Sequence, residues 1–270
     1  MDSFANEKDF TLLSRDCYTF AVLSRILRGQ CDLILSNHEN LIMCQSESRF
    51  PVWIWTPDNA SYDVKENAWN LVCALRPLSE KHRFNLKYDL AEYFIAKAAE
   101  DGVKAGISTN LFAYDCPAPK QPNIIADGEL HRCTMEDVEE AADILPLFYA
   151  EIGDEIPPRT YCLEKARSYI TRNAFFFWKN DSGKTVACCS YGENNKIASI
   201  GSVYTLTSER RKHYAQNLVY QVTKKVYEMG YMPMLYTDAD YCASNSCYEK
   251  IGYILRGKLC TISAQKCFEK

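Results

Sequence analysis

The run Glu209-Arg210-Arg211-Lys212-His213-Tyr214-Ala215 places three cations and a histidine in four consecutive positions. It lies between a strand-like apolar segment ending near Thr205 and an amphipathic segment beginning at Tyr214. The first N–H groups of a helix have no intrahelical acceptor, and the helix dipole adds positive potential at that end. Cations at such a junction make an anion site, most naturally one for phosphate. Between Lys196 and Gly230 six basic side chains stand against two acidic ones, a local net of +4 in a chain whose formal net charge is −4. The plainer alternative for the same residues is a solvated basic turn.

A second group follows at 236–253, Tyr236-Thr237-Asp238-Ala239-Asp240-Tyr241-Cys242-Ala243-Ser244-Asn245-Ser246-Cys247-Tyr248-Glu249-Lys250-Ile251-Gly252-Tyr253. Asn245 offers an amide that can bond a polar chain, or cap a helix. Tyr248 offers a phenol that can protonate a leaving group, or pack as a half-buried ring.

In this order the two segments resemble the GNAT superfamily of acyl-CoA-dependent N-acetyltransferases, over about residues 128–262. In that family Gln/Arg-x-x-Gly-x-Gly/Ala at a strand-to-helix junction cradles the pyrophosphate of coenzyme A. Arg210 and Ala215 match its ends, and His213 stands where the family has glycine. Asn245, Tyr248 and Lys250-Ile251-Gly252-Tyr253 match the second signature, whereas Tyr241 replaces an Asn that many relatives carry. The resemblance implies an α/β (α+β) fold with a mixed, mostly antiparallel central sheet flanked by helices. It implies acetyl-CoA as co-substrate and no metal. Coenzyme contacts would come from Val203, Tyr204 and Thr205 along the strand that holds the pantetheine arm, and from Arg210, Arg211, Lys212, His213, Tyr214, Ala215 and Asn245. Tyr248 would be the general acid.

The implied reaction is direct attack on the acetyl thioester, in a ternary complex, by a primary amine of a small molecule or an exposed protein amine. An amine of pKa near 10 is protonated at neutral pH, so a base or water chain must take its proton. Glu193, Glu151 and Glu155 are candidates, with ordinary surface carboxylates as the alternative. A backbone N–H near Val203 or Tyr204 would hold the oxyanion. A Cβ at His213 comes where close phosphate approach favours glycine, but Arg210, Arg211 and the helix start remain to bind it. His213 and Tyr241 together motivate the rival reading, a non-enzymatic acyl-CoA-binding regulatory module.

These residues need a framework of strands and helices. Periodicity predicts a strand at 130–133, a helix N-cap at Thr134 with Asp137, and a helix on Ile144, Leu147 and Phe148. A second helix follows over 161–172, then strands at 174–178, 185–191 and 197–205. A helix over 214–229 is stopped by Gly230, and a strand at 234–237, a short helix at 244–250 and one or two closing strands complete the order. Upstream, a helix around Tyr18 to Leu27, strands at 41–44 and 52–55, and helices from 63 to 75 and 86 to 102 are expected. Three prolines within 116–123 look like a linker. The expected division is 1–122, a non-catalytic α/β domain and a diverged second copy of the same fold, and 123–270, the transferase-like domain.

Composition bounds the rest. The chain has 270 residues, 47% hydrophobic and 24% charged, which supports two packed cores. With 35 acidic against 31 basic side chains, phosphate neutralisation of nucleic acid is disfavoured. The thirteen cysteines show neither Cys-x-x-Cys nor zinc-finger spacing, and adjacent Cys188 and Cys189 would point to opposite faces of a strand. The first residues have no basic start or apolar core of a signal peptide, and no long apolar run occurs. A cytoplasmic protein with reduced thiols, without a membrane or nucleic-acid partner, is expected. A homodimer is allowed. His38, His82 and His131 are scattered in sequence, so no metal site is expected.

Overall fold

The computed structural model describes residues 1–79 and 81–264. In chain order the main elements are α1 (Glu7–Leu13), α2 (Ala21–Arg28), β1 (Leu33–Ser36), β2 (Ile42–Gln45), β3 (Val52–Trp55), α3 (Tyr62–Leu75), β4 (Phe84–Leu86), α4 (Tyr88–Glu100) and β5 (Ala105–Asp115). Then come β6 (Glu129–Arg132), α5 (Val138–Glu151), α6 (Arg159–Thr171), β7 (Phe175–Lys179), β8 (Thr185–Asn194), β9 (Ile197–Thr205), α7 (Tyr214–Glu228), β10 (Met232–Asp238), α8 (Cys242–Lys250) and β11 (Ile254–Ala264). The mixed sheet flanked by helices is the class expected from the sequence. The helix expected from 86 is corrected: Phe84–Leu86 is a fully buried strand, and the helix starts at Tyr88. Strand β1 and helix α1 were not anticipated, being too short to show a period.

The chain divides into two compact units. One comprises Met1–Ala113, Thr237–Tyr241 and the described residues from 256 on; the other comprises Tyr114–Tyr236 and Cys242–Leu255. In the first unit the strands run β1-β2-β3-β4-β11-β5. The pairs β1–β2 and β2–β3 are antiparallel, β3–β4 is parallel, and β4–β11 is antiparallel with Cys260 opposite Leu86. Helices α3 and α4 bring Trp69, Val72, Leu90 and Phe94 onto Val52, Ile54, Phe84 and Ile262. Trp69 meets Phe94 edge-on, their centroids 5.3 Å apart. The segment 237–241 is fastened in this unit by Ala239 N–H to Asn110 O and Asn110 Nδ2 to Asp240 Oδ2.

In the second unit the strands run β10-β9-β8-β7-β6. All neighbours are antiparallel except β9 and β10. Four successive residues of β7, Phe175 to Trp178, are buried, because helices cover both faces of this sheet. On one face Val138, Ala141, Leu145, Ala166 and Ile170 pack against Phe175, Phe177 and Cys188. The other carries α7, whose Leu218, Val219, Val222 and Val226 are fully buried. The proline-rich run is bonded into this unit, with Cys116 N–H on Pro233 O and Lys120 N–H on Ile251 O. The order strand, strand, strand, helix, parallel strand, helix, strand occurs twice, as β1 to β5 with α3 and α4, and as β7 to β11 with α7 and α8.

Candidate functional site

Strands β9 and β10 pair only at their beginnings, Met232 with Ile197, Pro233 with Ala198 and Met234 with Ser199. Beyond those pairs β9 continues to Thr205 beside β8 alone. There its ladder is interrupted. Cys188 opposes Tyr204 but Ser190 opposes Gly201, so Ser202 and Val203 together face the single residue Cys189. This is a β-bulge, and Ser202 sits at φ +49°. A bulge leaves backbone groups outside the ladder and turns the strand. Cys188 Sγ donates to Ser202 O at 3.2 Å and Ser190 Oγ to Gly201 O at 3.2 Å, bracing it from the β8 side. Val203 and Thr205 are partly exposed and Tyr204 is 8% exposed. Thr205 Oγ1 is buried without a hydrogen-bond partner among the described residues.

The chain then turns through a short 3-10 segment into α7. Arg211 has φ +63°, and His213, the N-cap of α7, has φ +63° and ψ 9°. Each left-handed residue other than glycine costs about 1 kcal/mol, so this turn holds strain at the position where glycine is the relaxed choice. The first α-helical bond is Asn217 N–H to His213 O at 3.1 Å. The N–H groups of Tyr214, Ala215 and Gln216 precede it, and His213 gives them no side-chain cap. That end of α7 is therefore suited to an anion. Sequence reasoning missed Asn217. Its Nδ2 donates to Ile124 O and to His213 O, both at 3.0 Å, pinning the strained turn to the segment before β6. An Asn in an apolar helix face was the available signal.

The cations are less free than the sequence suggested. Arg210 pairs with Glu151 at 2.9 Å, donates from Nε to Thr205 O at 3.2 Å, and lies 5.7 Å above the Tyr204 ring. Glu209 accepts from Lys184 and Lys212, each at 2.8 Å. Those two bonds pull its carboxyl down to about 2. Arg211, Lys212 and His213 are exposed. The Tyr214 ring is turned inward: its hydroxyl donates to Asp127 Oδ1 at 2.8 Å, and burial and that carboxylate push it up to about 12. Tyr214 can meet an anion only through its backbone N–H.

Helix α8 carries Asn245, half-buried, and Tyr248, 8% exposed, whose ring meets Tyr253 edge-on at 6.0 Å. Tyr253 shares a 2.8 Å hydrogen bond with Thr223, tying the α8 end to α7. Tyr241, before α8, is 48% exposed. Of the candidate bases, Glu151 is engaged by Arg210 and Glu155 is exposed between α5 and α6. Glu193 opposes Ala198, five residues along β9 from Val203 or roughly 17 Å, and is bonded by Tyr231. The structure separates it from the bulge. His131 is not isolated, as its sequence position suggested: Cys133 and Asp137 are beside it.

The splayed parallel pair, the bulge, a hydroxyl at Thr205 without a partner among the described residues and uncapped N–H groups at α7 together offer polar groups suited to an anionic ligand. Among known families, the one described as FR47-like protein matches residues 179–262. No curated protein matches the chain in sequence. An acetyltransferase of the GNAT family from Colwellia psychrerythraea is similar in structure, at 15% identity and a TM-score of 0.59, over 98% of this chain and 99% of its own. A GCN5-related N-acetyltransferase from Sphaerobacter thermophilus shares 12% identity at a TM-score of 0.65, over 97% and 95%. Another from Kribbella flavida shares 13% at 0.62, over 92% and 94%. At such identities what is shared is the fold, and the likeness read from the two motifs is borne out: this chain has the fold of GNAT acetyltransferases across nearly its whole length.

Proposed function

We propose that the chain is an acyl-CoA-dependent N-acetyltransferase that moves an acetyl group from acetyl-CoA to a primary amine of a small molecule or an exposed protein amine. The observation that carries this reading is the continuity of the bulge at Ser202–Val203 with the left-handed turn at His213 and the uncapped start of α7. Acetyl-CoA supplies an activated thioester. The N–H groups of Tyr214, Ala215 and Gln216, with Lys212, Arg211 and His213 beside them, would hold the pyrophosphate. Val203, Tyr204 and Thr205 would line the pantetheine arm, with Thr205 Oγ1 as a donor for one of its carbonyls and Asn245 opposite.

A backbone N–H displaced at the bulge, at Val203 or Tyr204, would receive the oxyanion formed when the neutral amine attacks the thioester carbonyl. Collapse of that intermediate breaks the carbon–sulfur bond, and Tyr248 delivers a proton to the departing thiolate. With Glu151 tied to Arg210 and Glu193 distant, the amine proton leaves through a water chain or to Glu155, the remaining candidate. The first unit repeats the strand and helix order of the second, which supports a diverged copy with a structural or acceptor-shaping role. The second reading, a coenzyme-binding module without turnover, is favoured by the strained His213.

Thiol release from acetyl-CoA across a panel of amines tests both. The transferase reading expects amine-dependent release, and a Tyr248→Phe variant with kcat lower by about 10- to 100-fold at little-changed KM, since a thiol leaves readily. Tight coenzyme binding without release against any amine would instead establish the binding module.

A further inference from the structure

We propose that His131, Cys133 and Asp137 form a binding site for a borderline-soft divalent metal, of which Zn2+ is the best match. The three residues lie at the end of β6 and in the 3-10 turn before α5, Met135–Asp137. One ring nitrogen, one sulfur and one carboxylate oxygen all lie within 4.8 Å of one another. Bonds of about 2.0–2.3 Å in a tetrahedral zinc site separate ligand atoms by roughly 3.3–3.7 Å, so the widest separation must close by about 1 Å while the His131–Asp137 pair opens by about 0.4 Å. His131 Nε2 and Asp137 Oδ2 are already 2.9 Å apart, and the metal would take the place of the proton between them.

The donor set itself selects the metal class. A thiolate with an imidazole suits zinc and its neighbours, while magnesium and calcium prefer oxygen alone. The ligands are also oriented from behind, as metal ligands usually are. Asp137 Oδ2 accepts from Thr134 N–H at 2.7 Å and from Thr134 Oγ1 at 3.1 Å. The His131 ring stacks on Phe177 at a 16° tilt, and Cys133 N–H is held by Phe175 O. Cys133 is 2% exposed, while His131 and Asp137 are partly open, leaving one side for a water as fourth ligand. Lys179 Nζ, 3.7 Å from Asp137 Oδ1, is the cation already present, and it would swing away. As the metal–sulfur bond forms, the thiol proton passes to solvent. The bound ion would clamp β6 to the start of α5, independently of any acetyl transfer.

Metal-stripped full-length protein titrated with Co2+ tests this. The expected result is one equivalent bound with a thiolate-to-cobalt charge-transfer band and competition by Zn2+. Cys133→Ser should abolish the band, and His131→Gln should weaken binding by at least ~10-fold. Absence of the band in the wild type, or its survival in Cys133→Ser, would overturn the proposal, the second outcome pointing to another of the thirteen cysteines. X-ray absorption of the Zn2+-loaded wild type needs no variant: one sulfur among nitrogen and oxygen neighbours supports the site, and none or several sulfurs refutes it.

Discussion

At His213 a single side chain holds both strain and position. Its φ of +63° is one that glycine adopts freely, yet the turn places its carbonyl for Asn217 and begins α7. His213→Gly is expected to stabilise the fold by about 0.5–1 kcal/mol, a Tm rise of roughly 2 °C, partly offset by the looser unfolded chain. If backbone N–H groups bind the pyrophosphate, coenzyme affinity in this variant stays within about threefold of wild type by calorimetry; a tenfold loss, ~1.4 kcal/mol, would assign binding to the imidazole. Glu209 makes a second prediction. Lys184 and Lys212 hold its folded pKa near 2, below the ~4.3 of an unfolded glutamate. Its contribution is therefore complete above pH ~4.3 and is lost as pH falls through about 2. Acid unfolding followed by circular dichroism should be steeper across that window in the wild type than in Glu209→Gln, and identical curves would contradict the assignment.

Among the elements, the α8–β11 junction shows why its motif reads Lys-Ile-Gly-Tyr. Gly252 has φ +104°, and a Cβ there would lie 2.4 Å from Ala118 O. Both the backbone conformation and the close approach require glycine. Gly252→Ala should cost at least about 2–3 kcal/mol, read as a lower denaturant midpoint, and a shift under 1 kcal/mol would mean that Ala118 moves freely. Strand and helix recognition followed burial. Helix α7 and strand β9 stood out in the sequence because each has a face buried at its own period, and β8 because its run from Thr185 to Tyr191 is buried throughout. Strand β4, three residues long, has no period to show, and its neighbour Tyr88 already begins a helix. The bulge at Ser202 was also invisible. Nothing in Gly201-Ser202-Val203 marks an extra residue; only the register of β8 against β9 does.

For the whole molecule, sequence order and structural grouping part company at the end of the chain. Strand β11 follows the coenzyme-like motifs directly, yet Ile262 is fully buried in the first unit's core with Val52, Phe84 and Phe94. Ile262→Ala is expected to remove about 2–5 kcal/mol from that unit. Fluorescence of Trp53 and Trp69, both in the first unit, should report an earlier transition, and an unchanged transition would show that β11 is not part of its core.

The amino-acid sequence alone determined the order of elements in the second half, the anion-favouring junction at Arg210 to Ala215 and the phenol at Tyr248. These depend on neighbours within one or two helical turns. Tertiary structure alone decided that Arg210 pairs with Glu151 and that Lys184 reaches Glu209. It also separated Glu193 from the bulge and gave most of β11 to the first unit. Each of these is a contact whose partner is fixed by strand register or helix packing, and neither register nor packing is written in any local stretch of residues.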